Sequence, residues 1–414
     1  MPGGARTAAL LLVVAYAIPA AAVRAAPPGL AFGTPVRVNA AGRGYEPSID
    51  VDATGTLYVT AHKGSVTNEG TRLSSFLWSS RDGGASWDEL AAPAHAKDAQ
   101  FSFEGDVAVD RRGRLYFADT YGEDTWLSRW SKDGAWERSA PAVTASVFDD
   151  RPWLATQGDE TVWLLTTDVV THAVANGVPE TTDGSGWASS AVLYRSADGG
   201  LTWSPGHAFA DAQYCGLATS ATEVAVACVT RAAGGGQRLV VHRSADAGAT
   251  WAARDVFSYR GRADSFVSVA YDKGGTPVTA FADGLPNGHR LYVAYGTSVR
   301  DVTPFRGAFQ HVWVAADGKG RVGLAFYGTS TPVPASTSDW YVYAGTAGPS
   351  RKWSIRRADP HVVLRAAFAP ADFLQCVVAP NGRLYVAYSR AAEVDVLHAP
   401  PPDFDHDIYV VRER

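Results

Sequence analysis

Residues Val51 to Ala61 read VDATGTLYVTA, and residues Val109 to Asp119 read VDRRGRLYFAD. Each is a polar turn closed by a glycine, Gly55 or Gly113, that leads into an alternating apolar and polar stretch. Weaker copies are YDKGGTPVTAF from Tyr271, AADGKGRVGLAF from Ala315 and APNGRLYVAYS from Ala379, with Gly275, Gly320 and Gly382 at the turn. Glycine supplies the positive φ of a tight turn, and period-2 alternation marks a half-buried strand. Every copy therefore predicts a β-hairpin. The copies return at roughly 55 residues, and the chain beyond its first 26 residues holds about seven such units.

A second repeat runs out of phase with the first. SRDGGASW (Ser80 to Trp87), SADGGLTW (Ser196 to Trp203) and SADAGATW (Ser244 to Trp251) share the pattern S-x-D-x-G-x-x-W, and SKDGAW (Ser131 to Trp136) is a shortened relative. The residue types suit a turn. Ser80, Ser196 and Ser244, with Asp82, Asp198 and Asp246, can bond turn amides. Gly84, Gly200 and Gly248 take the open backbone conformation, and Trp87, Trp203 and Trp251 plug the apolar side. These residues resemble the Asp-box (BNR-repeat) motif of the sialidase-like superfamily of β-propellers. The resemblance implies an all-β fold: a β-propeller of four-stranded antiparallel blades, strands A to D, forming one domain over residues 27–414. The repeat count predicts seven blades, with six, as in the sialidases, the alternative. Inner strands A begin near Glu46, Glu104, Arg151, Tyr214, Phe266, His311 and Phe373. The last blade ends on a third strand, DIYVVRER, so the stretch Leu30 to Asn39 is expected to supply its outer strand and close the ring.

Composition agrees with this architecture. The chain has 414 residues, 46 % hydrophobic and 19 % charged, enough for a sizeable core and unlike a disordered chain. Its formal net charge is -5, so no basic excess exists to neutralise a phosphate backbone, and nucleic acid is not an expected partner. Arg6 precedes the apolar run AALLLVVAYAIPAAA, with small residues for cleavage after Ala22 or Ala25. Residues 1–26 read as a signal peptide, which makes the mature chain secreted or extracytoplasmic, with no membrane span and monomeric. Cys215 and Cys228 flank GLATSATEVAVA, two apolar runs about a polar turn. A hairpin there sets them opposite each other, as a disulfide or as two buried thiols, with Cys376 left over.

The resemblance places the A-strand starts and the B–C loops on one face and the Asp-box turns on the other. Long polar B–C loops, HKGSVTNEGTR from His62, DVVTHAVANGVPETTDGSGW from Asp168 and RAAEVDVLHAPPPDFDH from Arg390, mark the first face as the functional one. Aligned on their turn glycines, Glu46, Glu104, Phe266, His311 and Phe373 stand at one level, and Arg151 and Tyr214 join it from the remaining blades. Asp106, Asp150 and Asp264 lie within a few residues, and His62 ends the following strand. Glu46, His62, Glu104, Asp106, Asp150, Arg151, Tyr214, Asp264 and His311 are thus the candidate ligand-binding residues. Carboxylates here can act as acid and base or hold a cation, aromatics suit sugar rings, and each group can equally serve only to bond a strand start. Asp403, Asp405 and Asp407 alternate, so an extended backbone aims their oxygens one way; this suits Ca²⁺, or is simply a solvated acidic loop. No cofactor is otherwise required.

Active sialidases carry an Arg-Ile-Pro element on the first inner strand, followed by a strand ending in Glu and Arg. Here the matching stretch is GYEPSID, with Tyr45 in place of the arginine and Glu46 in place of the isoleucine, and the next strand ends in His62 and Lys63. The resemblance therefore carries the fold without sialic-acid hydrolysis. The expected function is a secreted propeller that binds a glycan or an extracellular protein on its loop-rich face. Rival expectations are a glycoside hydrolase or polysaccharide lyase using the acidic mouth, and an envelope assembly scaffold.

Overall fold

The computed structural model of the protein describes residues 29–39, 44–62, 75–90, 105–121, 124–144, 149–169, 174–175, 178–179, 189–232, 235–263, 266–370, 373–391 and 406–414. The expected signal peptide lies outside them. Seven antiparallel blades of four main strands form a ring, so the seven-bladed reading holds and the six-bladed one does not. The inner A strands are Tyr45–Val51, Gly105–Val109, Asp149–Gln157, Ala212–Thr219, Ser268–Tyr271, Ala308–Ala316 and Gln375–Val378. Among the described residues, no helix is long and apolar enough to cross a membrane.

The ring closes with the N-terminal segment. Val36–Arg37 pairs antiparallel with the last strand, His406–Arg412, setting Val36 opposite Val410 and Arg37 opposite Tyr409. Gly33 N–H donates to the Arg412 carbonyl and Val38 N–H to that of Ile408, each at 2.8 Å, extending the junction beyond the strand itself. The segment thus covers the free edge that the last blade would otherwise present.

Glycine turns join A to B, and an aspartate caps each of the clearest copies. Asp52 Oδ1 accepts the Thr54 and Thr56 amides at 2.8 and 2.9 Å, and Asp110 Oδ1 accepts those of Arg112 and Arg114 at 2.9 Å. Asp272 and Asp317 do the same for their turns. The B strands depart from simple alternation. In Pro277–Gly284 and Val322–Thr329 nearly every residue is buried, because each B strand lies between two neighbouring blades and both its faces are covered. The core therefore runs between blades: Trp340, Tyr327 and Tyr388 are fully buried where blades six and seven meet.

The three S-x-D-x-G-x-x-W turns join C to D and are built alike. Ser80 Oγ donates to Asp82 Oδ1 at 2.8 Å while accepting the Gly84 amide at 2.9 Å, and Asp82 also takes the Ser86 amide at 3.0 Å and hydroxyl at 2.6 Å. Ser196 with Asp198, and Ser244 with Asp246, repeat this pattern. Gly200 has φ of 87°, which favours glycine, and a Cβ there would also press on the Leu127 side chain. Trp87, Trp203 and Trp251 pack against the inter-blade core. The shortened SKDGAW copy differs: Trp136 is 47 % exposed, because its turn lacks the two residues that swing the indole inward. Replacing Asp198 by Ala should cost about 0.5–2 kcal/mol, the scale of losing such side-chain-to-backbone bonds. Denaturant unfolding measures the loss. Ligand binding at the axis should survive it at saturating ligand; its loss in a folded variant would put this turn in the site.

Candidate functional site

The site is built from the first residues of the inner strands. In four blades the A–B register slips at the strand entry, between Tyr45 and Ser48, Asp150 and Trp153, Gln213 and Gly216, and Gln310 and Trp313. Each slip is a β-bulge, and at each one a non-glycine residue takes a left-handed backbone: Glu46 (φ 51°), Arg151 (59°), Tyr214 (49°) and His311 (58°). The sequence pattern sets these four at one level, and the bulges give them one conformation as well.

Their side chains converge from separate blades. Arg151 Nη1 donates to Glu46 Oε2 at 3.0 Å, from blade three to blade one, with side-chain exposures of 9 % and 3 %. The same guanidinium lies 4.9 Å from the ring centre of Phe266 in blade five and 5.4 Å from that of Phe373 in blade seven. Tyr214 meets Phe266 edge-on, with ring centres 5.5 Å apart, and His311 meets Tyr327 edge-on at 5.9 Å. Two residues further along their strands, Trp153 and Trp313 pack at 5.2 Å, and Trp153 also touches Phe266 and Phe373. Among the described residues the strand entries make a buried ion pair over an aromatic layer.

Beneath lies a polar layer that stitches the ring. Asp106 Oδ2 accepts the Leu154 amide at 2.6 Å, Ser268 Oγ accepts that of Val314 at 2.7 Å, and Gln375 Oε1 accepts that of Ile49 at 3.1 Å. Each bond joins one inner strand to the next, where no backbone ladder exists. Ser48 Oγ lies within hydrogen-bond distance of both Asp106 Oδ1 and Gln375 Oε1, and its one proton serves one of them at a time. Between blades four and five the backbone itself makes the link, Val267 N–H to the Tyr214 carbonyl at 2.9 Å. Asp106 is therefore part of this layer, one step deeper than the mouth. Burial raises its pKa to about 6 against the bonds from Leu154 and Ser48.

Past that layer the channel widens into a cavity of about 740 Å³ on the side of the A–B turns, lined by Asp50, Asp106, Thr156, Tyr271, Lys273 and Gln375 among others. Asp50 accepts the Val51 and Val109 amides at 2.8 and 2.7 Å. Burial nevertheless raises its pKa to about 7, with the charges of Asp106 and Asp52 adding to the effect. This cavity thus lies at the A–B turn end of the ring, away from the strand entries. Asp50, Ser48, Gln375, Trp153 and Trp313 were not among the candidates; counting two and four residues along each strand from the entry level would have found them.

The other candidates divide by position. His62 ends strand B of blade one opposite Tyr45, and Asp150 pairs with Thr167. Glu104, Asp264, Asp403 and Asp405 lie outside the described residues. Asp407 pairs with Arg37 at 3.1 Å across the ring closure. No cluster of metal-ligating side chains occurs among the described residues. Cys215 and Cys228 form a disulfide that ties the bulged entry of blade four to its B strand, and Cys376 is a buried free thiol.

The class these observations define is an all-β, seven-bladed propeller with a polar and aromatic axial constellation. Comparison of the sequence with protein-family models and with curated proteins finds no match. Among solved structures, a protein of unknown function from Dyadobacter fermentans aligns with 94 % of this chain and 100 % of its own at 13 % identity and a TM-score of 0.52. An ulvan lyase bound to -[GlcA(1-4)Rha3S]- aligns with 92 % of this chain and 94 % of its own at 11 % identity and the same TM-score of 0.52. A Hadza microbial sialidase aligns over 86 % and 92 % at 13 % identity and a TM-score of 0.45. At such identities the likeness shows the fold alone.

Proposed function

We propose that the protein is an extracytoplasmic glycan-binding propeller that receives a sugar chain at the axial constellation of its loop-rich face, without sialic-acid hydrolysis. The observation that carries this reading is the left-handed backbone shared by Glu46, Arg151, Tyr214 and His311. Such a conformation costs a non-glycine residue about 1–2 kcal/mol, and glycine would remove the cost. A carboxylate, a guanidinium, a phenol and an imidazole at those four places, beside the faces of Phe266 and Phe373, are the groups that recognise hydroxyls, acidic substituents and sugar rings. Glu46 holds the place on Arg151 that a ligand carboxylate would take in exchange. The apolar N-terminal run and the Cys215–Cys228 bridge support export to an oxidising compartment.

A second reading is favoured by one contact pattern. Arg151 and Tyr214 both pack on Phe266, and His311 enters at the same level. Arg151 could neutralise a uronate carboxylate while Tyr214 or His311 takes the proton from the adjacent carbon. The electron pair of that C–H bond then forms a carbon–carbon double bond, and the bond to the neighbouring sugar oxygen breaks, with the proton delivered to that oxygen. This is polysaccharide lyase chemistry, and an ulvan lyase shares the fold.

The test is calorimetric titration of the wild type with neutral and uronate-containing oligosaccharides, beside an ultraviolet assay for the unsaturated product and a sialoside-release assay. Binding without turnover, weakened about tenfold or more in Tyr214→Phe or His311→Gln, supports the first reading. Turnover of a uronate polymer that both variants lose supports the second. Absence of both, or robust sialoside release, overturns the proposal.

A further inference from the structure

Away from the axis, the outer strands of blades five and six, Ser298–Asp301 and Trp353–Arg357, leave a cleft between them of about 440 Å³. Three guanidiniums line it: Arg300 from blade five, and Arg351 and Arg356 from blade six. Among the described residues, no carboxylate pairs with Arg300 or Arg356; Arg356 makes a single bond, to the Ile355 carbonyl at 3.1 Å. Arg351 is held in place. It lies 4.1 Å over the ring of Tyr295, reaches Asp272 only at 3.5 Å, and sits in a left-handed backbone with φ of 57°. That strained position is fixed by its own amide, which donates to the Gly348 carbonyl at 2.8 Å.

The acidic group of the cleft is already engaged. Asp301 Oδ2 faces Arg290 at 3.7 Å, and its Oδ1 accepts the Thr303 amide at 2.9 Å. Thr303 Oγ1 in turn accepts the Leu291 amide at 2.9 Å, which leaves its hydroxyl proton to donate. Trp353 adds an aromatic wall. Three cations, one hydroxyl donor and one indole around a space roomy enough for a substituted sugar unit form a receptor for an anion carried on a ring. The chain as a whole is acidic, with a net charge of -5, so this concentration of positive charge is local.

We infer that this cleft binds an oxyanion, the sulfate or carboxylate of an acidic polysaccharide, at a site separate from the axial constellation. Planar guanidiniums meet such groups through paired N–H donors, and one of the three is pre-ordered on an aromatic face. A chain held on the outer wall would anchor the protein to a charged polymer whatever the axial site does, so the inference does not rest on the reading above.

The experiment compares binding of dextran sulfate with binding of uncharged dextran at low salt, for the wild type and for Arg300→Ala/Arg356→Ala. Both arginines are exposed and outside the core, so the melting temperature of the double variant should match the wild type. Dextran sulfate should bind the wild type in a salt-sensitive way, and the double variant should lose about tenfold or more in affinity. Inorganic sulfate is the second arm. Competition by it at millimolar concentration means that the site accepts a free oxyanion, and failure to compete while dextran sulfate binds means that the polymer supplies the rest of the recognition; either result upholds the site. Equal affinity of the double variant and wild type, or no preference for dextran sulfate over dextran, overturns it.

Discussion

Arg151→Met should lower the unfolding free energy by about 3–5 kcal/mol, the loss seen when one member of a buried ion pair is removed. Arg151 and Glu46 are both almost fully buried, and Phe266 and Phe373 cover the guanidinium. Without Arg151, the buried Glu46 carboxylate loses the cation bonded to it, and staying charged or taking up a proton is costly there. Glu46→Gln should be milder, because the guanidinium keeps its two aromatic faces. The double variant Glu46→Gln/Arg151→Met should recover much of the loss, since no charge is then stranded. Urea unfolding of the wild type, both single variants and the double variant at neutral pH gives the coupling directly. A coupling within a few tenths of a kcal/mol of zero would mean that the pair contributes nothing. The meeting of these two side chains at the axis would then need another explanation.

The ring was legible because its turns are chemically marked. Gly55, Gly113, Gly275, Gly320 and Gly382 all adopt positive φ, so the glycines that set the repeat in the sequence are those the backbone needs. The closing strand was legible for a related reason. A last blade built only of Gln375–Val378, Leu384–Ala391 and His406–Arg412 lacks its outer strand, and Leu30 to Asn39 was the stretch without a blade of its own. What could not be read was conformation that depends on distant neighbours. Nothing in GYEPSID announces that Glu46 is left-handed, because the bulge answers to packing at the axis. Its partner Arg151 lies 105 residues away. Asp106 shows the same limit on a smaller scale. As a carboxylate near a strand start it was grouped with the mouth, yet two residues along a strand is one layer deeper on the same face. There it accepts a neighbouring strand's amide and lines the cavity at the A–B turn end.

Stability should be highest on the acid side of neutrality and fall in both directions, for two opposed reasons. In the folded protein Asp50 is raised from 3.8 to about 7 and Asp106 to about 6, in both cases chiefly by burial. A raised carboxyl pKa means that the folded state holds a proton the unfolded chain has already released. The stability tied to that proton is complete below about pH 4, and it is lost as pH rises through 6 and 7. The turn aspartates act the other way. Asp82 and Asp246 are lowered first by the hydroxyls of Ser86 and Thr250, Asp246 to about 2. At Asp198 burial pushes upward, but the bonds from Thr202 outweigh it and the net shift is downward. Their contribution is present above about pH 4 and disappears as pH falls toward 2. The maximum therefore falls near pH 4, where both contributions are present together. Asp50 lines a cavity rather than a closed core, so the alkaline limb is worth about 1–2 kcal/mol between pH 5 and 8, a few degrees in melting temperature. Asp50→Asn should make that limb shallower, leaving Asp106's share below about pH 6 and the acid limb in place, whatever its own melting temperature at pH 5, because the slope reports proton binding and not the strength of the Val51 and Val109 bonds. Melting curves of the wild type and Asp50→Asn from pH 2 to 8 check this. A wild-type curve that is flat above pH 5, or a variant with an unchanged slope, would show that Asp50 is ionised at neutral pH and that the channel is wetter than its walls suggest.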